Sequence, residues 1–154
     1  MISNDKNIII REYRSSDRQS MIHLLRLNTP AFFSPLEECD LEVYLDNHIG
    51  HYFVLEFNGE IAGCGGFNFS DNFKTGKISW DIFNPAYQGR GLGSLLLQYR
   101  IEKMKNSFGM KEIIVRTSQH AHGFYEKNQF LLQHVEKDYW APGYDLYLMV
   151  LAKH

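Results

Sequence analysis

The residues with most chemical content lie in one short stretch, Gln88-Gly89-Arg90-Gly91-Leu92-Gly93. It follows the apolar run Lys77-Ile78-Ser79-Trp80-Asp81-Ile82-Phe83 and the turn pair Asn84-Pro85. It opens a helical pattern from about Leu92 to Phe108. A strand that runs into a glycine-rich loop and then a helix N-terminus is a device for holding phosphate. The first-turn amides have no partner inside the helix, and the dipole places partial positive charge there. Glycines remove the side chains that would keep a pyrophosphate from the backbone, and Arg90 adds a full charge. The spacing excludes two common phosphate loops. No Gly-Lys-Ser/Thr follows, and the dinucleotide fingerprint fails in both registers, with Leu96 or Leu92 at its third glycine position. Nearby, Asp81 is placed to accept a proton directly or through water, or else to be a satisfied structural carboxylate. His120 and His122 either relay a proton or cap a helix start. Their His-x-His spacing lacks a third ligand, so no metal is expected.

These residues need elements to position them. Ile8-Ile9-Ile10 reads as a first strand. A helix follows, opened at Ser15, Ser16 or Asp17, with Met21, Ile22, Leu24 and Leu25 as its apolar face. A second helix opens at Ser34-Pro35-Leu36-Glu37, a capping box with proline at the first helical position. Leu41, Tyr44, Leu45 and His48 mark its buried side. Tyr52–Phe57 and Ile61–Phe67 flank Asn58-Gly59, the strongest hairpin signal in the chain. Three glycines in the return strand, Gly63, Gly65 and Gly66, predict a bulge or a close backbone approach. The helix after the glycine loop carries Leu97, Ile101, Met104 and Phe108, with Leu92, Leu95 and Leu96 burying its first turn, and Gly109 stops it. Strand Glu112–Thr117 completes a βαβ unit with Lys77–Phe83, so these two should be parallel neighbours. A short helix, Ala121–Asn128, leads to a strand ending near Glu136, a turn over 138–143, and a final strand, Tyr144–Leu151, whose apolar run predicts burial on both faces.

What remains of the glycine loop is Gln-x-x-Gly-x-Gly, carried by Gln88, Gly91 and Gly93. This resembles the acyl-CoA pyrophosphate loop of the GNAT superfamily, the acetyl-CoA-dependent N-acetyltransferases. Phe124-Tyr125-Glu126-Lys127-Asn128-Gln129-Phe130 is similar to the family's Phe-Tyr-Glu-Lys-x-Gly-Phe segment, with Gln129 in place of the glycine. The two motifs cover the C-terminal half, and the order of elements covers the rest. The resemblance implies one domain over residues 1–154. Its fold would be α/β, a mixed sheet of about seven strands flanked by about four helices, with splayed parallel central strands. It implies that the backbone of Ile82 and Phe83 meets the pantetheine arm. Gln88, Gly89, Arg90, Gly91, Leu92, Gly93 and Ser94 would hold the pyrophosphate. It also implies direct attack of an amine on the thioester, with no acyl-enzyme. Tyr125 stands at the family's general-acid position, protonating the departing thiolate or only hydrogen-bonding the sulfur. Many relatives carry a glutamate where this chain has Lys77, so that base does not carry over and Asp81 is the candidate. Relatives often place an asparagine where Ser118 stands, and Ser118 is the candidate replacement at the cofactor.

Composition bounds the partners. With 154 residues, 44% apolar and 22% charged, the chain can bury a sizeable core. A net charge of −2 without a basic run points away from nucleic acid and anionic membrane, and no apolar stretch approaches the ~18 residues of a membrane span. Two cysteines, Cys39 and Cys64, suit a reducing, cytoplasmic compartment, and Met1–Lys6 shows no signal-peptide pattern. Phe32, Phe33, Tyr44, Tyr139, Trp140 and Tyr144 either line an acceptor site or pack the core or a homodimer contact. The expected reaction is acetyl transfer from acetyl-CoA to a small or amino-acid-like amine. The alternatives are an acyl-CoA sensor on the same fold and a structural protein whose loop binds nothing. The presence of Tyr125 favours the enzyme.

Overall fold

The computed structural model describes residues 7–153. Met1–Lys6, read above as lacking a signal peptide, lies outside them. The strands are β1 Ile8–Glu12, β2 His51–Phe57, β3 Glu60–Phe69, β4 Thr75–Phe83, β5 Glu112–Thr117, β6 Phe130–Ala141 and β7 Tyr144–Leu151. The helices are α1 Arg18–Leu27, α2 Glu37–Val43, α3 Leu92–Asn106 and α4 His122–Lys127. One seven-stranded sheet runs in the order β1-β2-β3-β4-β5-β7-β6. Every pairing is antiparallel except β4 with β5. The mixed sheet with a parallel central pair is therefore as the sequence predicts.

The period of two in β2 sorts the core into two layers. Tyr52 and Val54 pack with Met21, Leu24 and Leu25 of α1 and Leu41 of α2. Phe53 and Leu55 pack with Leu92, Leu96, Leu97, Ile101 and Met104 of α3. Each fully buried leucine of this kind contributes about 1.5–3 kcal/mol. The Ser34–Glu37 pair does not cap α2, which starts at Glu37 with Leu36 as N-cap and no side-chain cap. It closes the turn before the helix, where Glu37 Oε2 accepts from the Ser34 amide at 2.8 Å and Ser34 Oγ from the Leu36 amide at 3.1 Å.

Four further details depart from the sequence reading. A π-helical turn over Tyr44–His48 widens the helical period after Leu41, so Tyr44 and Leu45 stay buried while His48 turns to solvent. On α3, Leu95 is 43% exposed because Leu92 and Leu96 fill the contact, and Phe108 falls beyond the helix and is 39% exposed. Residues 138–141 belong to β6, and only Pro142 and Gly143 form the turn. An irregularity between Glu136 and Ala141, with Asp138 at φ +52°, absorbs the turn-like residues inside the strand. β7 is not buried on both faces: Leu146, Met149 and Leu151 are buried, their neighbours partly so. Its partner β6 is an edge strand exposed from Leu131 to Tyr139, so the hairpin is covered only in part.

Candidate active site

The site begins where β4 and β5 part. Their pairing runs from Thr75–Glu112 to Ile78–Val115 and stops. Beyond it, β4 carries one extra residue. Gly66 faces Ser79 and Cys64 faces Ile82, so three steps on β4 match two on β3. Trp80 takes the strain at φ +46°. The Tyr52 hydroxyl holds the bulge by donating to the Trp80 carbonyl at 2.7 Å.

The bulge re-aims Asp81. Its Oδ1 accepts from Arg100 Nη2 on α3, and its Oδ2 accepts from the Tyr125 hydroxyl on α4 at 2.6 Å. Gly65 makes room for this pair, since a Cβ there would collide with Asp81 Oδ1 and the Arg100 guanidinium. Tyr125 is 4% exposed and Arg100 0%. Burial, then the Asp81 charge, pushes the Tyr125 phenol well above its ordinary range, so it is protonated and donates. Burial likewise pushes the Cys64 thiol up to about 12, which leaves it unreactive as a nucleophile at neutral pH.

Backbone alternation decides which strand residue faces the gap. The Asn84 amide bonds to Ala62 O on β3, and the Ile82 carbonyl faces Cys64 Sγ at 3.7 Å. Neighbours in an antiparallel ladder alternate, so Phe83 is the residue that faces away from β3. Its carbonyl accepts from Asn28 Nδ2 at 2.8 Å, and Asn28 is buried at the end of α1.

The glycine loop lies beside this gap. Gly89 and Gly91 sit at φ +80° and +76°, and no side chain caps α3. Its first-turn amides are left without a partner in the helix and open toward the cleft, an arrangement suited to an anion. Gln88, Gly89, Gly91, Leu92, Gly93, Ser94, Ser118 and Tyr125 line one cleft of about 1070 Å³ together with Asp81, Ile82 and Phe83. Arg90 does not line it. Its guanidinium lies over the rings of Phe57 at 5.5 Å and Tyr87 at 5.9 Å. Ser118 is buried and spends its Oγ on the His120 amide at 3.2 Å. His120 lines the cleft and contacts the Gly143 carbonyl, whereas His122 lies outside it, paired with Glu126 at 2.6 Å. Phe32, Phe33, Tyr44, Trp80 and Trp140 also line the cleft, with Phe33 and Trp80 stacked at 6.0 Å. Tyr139 and Tyr144 do not line the cleft, although Tyr144 bonds across to Pro30 O at 2.7 Å.

Sequence reasoning missed Arg100, Asn28 and Glu37. Arg100 had a signal: it stands four residues from Leu96 and from Met104, a charge on an apolar stripe. Glu37 carries a capping signal in the sequence, and in the structure it lines the cleft. Burial raises its carboxyl above the usual range. Asn28 gave no sign of its reach to Phe83.

Two parallel strands that part beside an uncapped, glycine-led helix define the GNAT class of fold. The sequence model of the acetyltransferase (GNAT) family matches residues 21–130, and the chain belongs to that family. An amino-acid acetyltransferase of Neisseria meningitidis is 25% identical over 99% of this chain and 36% of its own length. The chain thus spans about a third of that relative. An N-acetylglutamate synthase from Neisseria gonorrhoeae, solved with coenzyme A and N-acetyl-glutamate, superposes at TM-score 0.73 and 22% identity over 96% of this chain and 35% of its own. A GNAT-family protein of Desulfovibrio desulfuricans superposes at TM-score 0.79 and 21% identity over 94% and 98% of the two chains.

Proposed function

We propose that this chain transfers an acetyl group from acetyl-CoA to the primary amine of a small, amino-acid-like acceptor, by direct attack in a ternary complex. One observation carries the reading: a single cleft holds the parted β4–β5 strands, the uncapped α3 amides and the Tyr125–Asp81 pair. The residues fit acetyl-CoA. Gly89, Gly91, Leu92, Gly93 and Ser94 offer backbone to a pyrophosphate, with Gln88 and Ser118 at its margins. Phe83, more than Ile82, offers strand backbone to the pantetheine arm. Arg90 acts only if it leaves its aromatic neighbours.

Tyr125 donates a proton toward the leaving sulfur, and Asp81 accepts one from the attacking nitrogen. No buried thiol competes as an acylated intermediate, because Cys64 is held protonated. The acceptor enters past Phe33, Tyr44 and Trp80, and the exposed cation Lys77 at the cleft suits a carboxylate on it, as does Arg116 once it leaves Tyr139 and Trp140. Relatives named for amino-acid acetylation support this choice. The test is release of CoA thiol from acetyl-CoA with amino acids, alkyl and aryl amines, polyamines and lysine peptides. Turnover confined to amino acids supports the whole reading. Turnover confined to another class replaces the acceptor. Tight acetyl-CoA binding with no turnover on any amine would replace the enzyme by a sensor.

A further inference from the structure

A carboxylate that lines the cleft is held by a cation that does not. Arg100 is fully buried, one turn from Leu96 and one from Met104, which are also fully buried. Its Nε donates to Leu96 O at 3.2 Å, its Nη1 to Gly66 O at 3.1 Å and its Nη2 to Asp81 Oδ1. Asp81 Oδ2 takes the Tyr125 hydroxyl at 2.6 Å. One carboxylate therefore bridges a buried cation and the phenol. Packing alone does not call for this. Leucine or methionine would fill the stripe without the cost of desolvating a guanidinium. The bulge at Trp80 and the missing side chain at Gly65 both serve the same pair.

We propose that Arg100 is a positioning residue for the chemistry: it fixes Asp81 as a charged acceptor beside Tyr125, so that the two side chains pass one proton as a unit. This rests on the acetyl-transfer reading above. The amine nitrogen bonds to the acetyl carbon, and the carbon–sulfur bond breaks. The proton that nitrogen sheds passes to Asp81, directly or through water. The phenol proton of Tyr125 passes to the thiolate. Asp81 then returns its proton to the phenolate. Nitrogen has lost one proton, sulfur has gained one, and both side chains end as they began.

The titratable groups around Asp81 are Arg100 from α3, Tyr125 from α4, Tyr52 from β2 and Cys64 from β3. Burial keeps the two phenols and the thiol uncharged at neutral pH. Among the described residues, Arg100 is the cation paired with Asp81. Without it, Asp81 keeps the Tyr125 hydroxyl as a partner and loses the cation opposite it.

The experiment compares wild type, Arg100→Met and Arg100→Lys. It measures acetyl-CoA affinity by calorimetry and kcat/KM from about pH 5 to about pH 9. We expect acetyl-CoA affinity within about twofold of wild type, because Arg100 does not line the cleft. In Arg100→Met the acid limb moves up by about one pH unit or more, and turnover at neutral pH falls about tenfold or more. Arg100→Lys restores part of both. A uniform fall at every pH, with the limb in place, would make Arg100 a packing residue and overturn the proposal. Should Arg100→Met fail to fold, Arg100→Gln takes its place with the same expected shift. Carbon-13 NMR of the Asp81 carboxyl needs no turnover. An unchanged titration in the variant overturns the proposal even if wild type acetylates no amine, and that latter result removes the acetyl-transfer reading separately.

Discussion

A phenol whose proton is shared with a carboxylate is already on a path for that proton. Tyr125 is in this position, buried and donating to Asp81. Tyr125→Phe keeps the ring, which packs edge-on against Phe124 and Phe130. It should therefore bind acetyl-CoA about as wild type does while kcat falls about a hundredfold, the low end for a lost general acid. Steady-state kinetics beside calorimetry check this, and equal turnover would reduce Tyr125 to packing. The motif made Tyr125 legible in the sequence, but its partner was not. Asp81 read equally as base or structural group, because nothing in Ser79-Trp80-Asp81 shows that Trp80 takes a left-handed backbone. Gln129 is a similar case. It occupies the motif's glycine position and takes φ +72°, so the backbone demand survives a residue that meets it poorly.

At the scale of elements, the sequence carried the sheet and helices through periodicity, capping and turn chemistry. It missed the features set by contacts between elements. Gly65 shows the difference. The glycines of β3 announced a bulge or a close backbone approach; the bulge is there, but what approaches Gly65 is a pair of side chains, from β4 and α3. Gly65→Ala should cost about 1–3 kcal/mol in urea melts, as overpacking does. Turnover should fall by more than that loss of folded protein explains, because the added methyl displaces Asp81. Turnover that tracks folded fraction alone would separate the bulge from the chemistry. A second junction ties β1, β2 and the start of α1. Asp17 accepts from Arg11 at 2.8 and 2.9 Å and from the Arg14 amide at 2.8 Å, and Arg11 also reaches Glu56 at 2.7 Å. Hydrogen bonds from Arg11, above all, hold the Asp17 carboxyl below its ordinary range against the opposing effect of burial. A depressed carboxylate adds stability that is present above about pH 4 and is lost as pH falls through its folded value. Asp17→Asn should lower stability at pH 7 by about 2 kcal/mol, the value of charge-assisted bonds, and the deficit should shrink below about pH 4. Denaturant melts across that range decide it. A deficit that stays constant with pH would show that the junction is held by shape and not by charge.

For the whole molecule, the parted strands and the open helix end lie on one sheet whose two faces are packed by different helices. α1 and α2 cover one layer and α3 the other, and the cleft draws residues from both. A ligand that fills this cleft therefore ties the two layers together and stabilises the folded state by mass action. Acetyl-CoA at a hundred times its Kd should add about 2.7 kcal/mol. For a domain of this length, that is a rise in Tm of about 5–10 °C. Gly91→Glu should abolish the rise. Its side chain would stand at φ +76° before the α3 amides and bring a negative charge to the place where a pyrophosphate would bind. The variant must first melt cooperatively without ligand, since a left-handed glutamate itself costs about 1–2 kcal/mol. If it is folded and still shows the full wild-type rise, acetyl-CoA does not bind at the α3 amides, and the assignment of the glycine loop falls. If the rise is lost there but kept in Tyr125→Phe, binding and chemistry occupy separable parts of the same cleft, as the lining of α3 on one side and the Asp81–Tyr125 pair on the other requires.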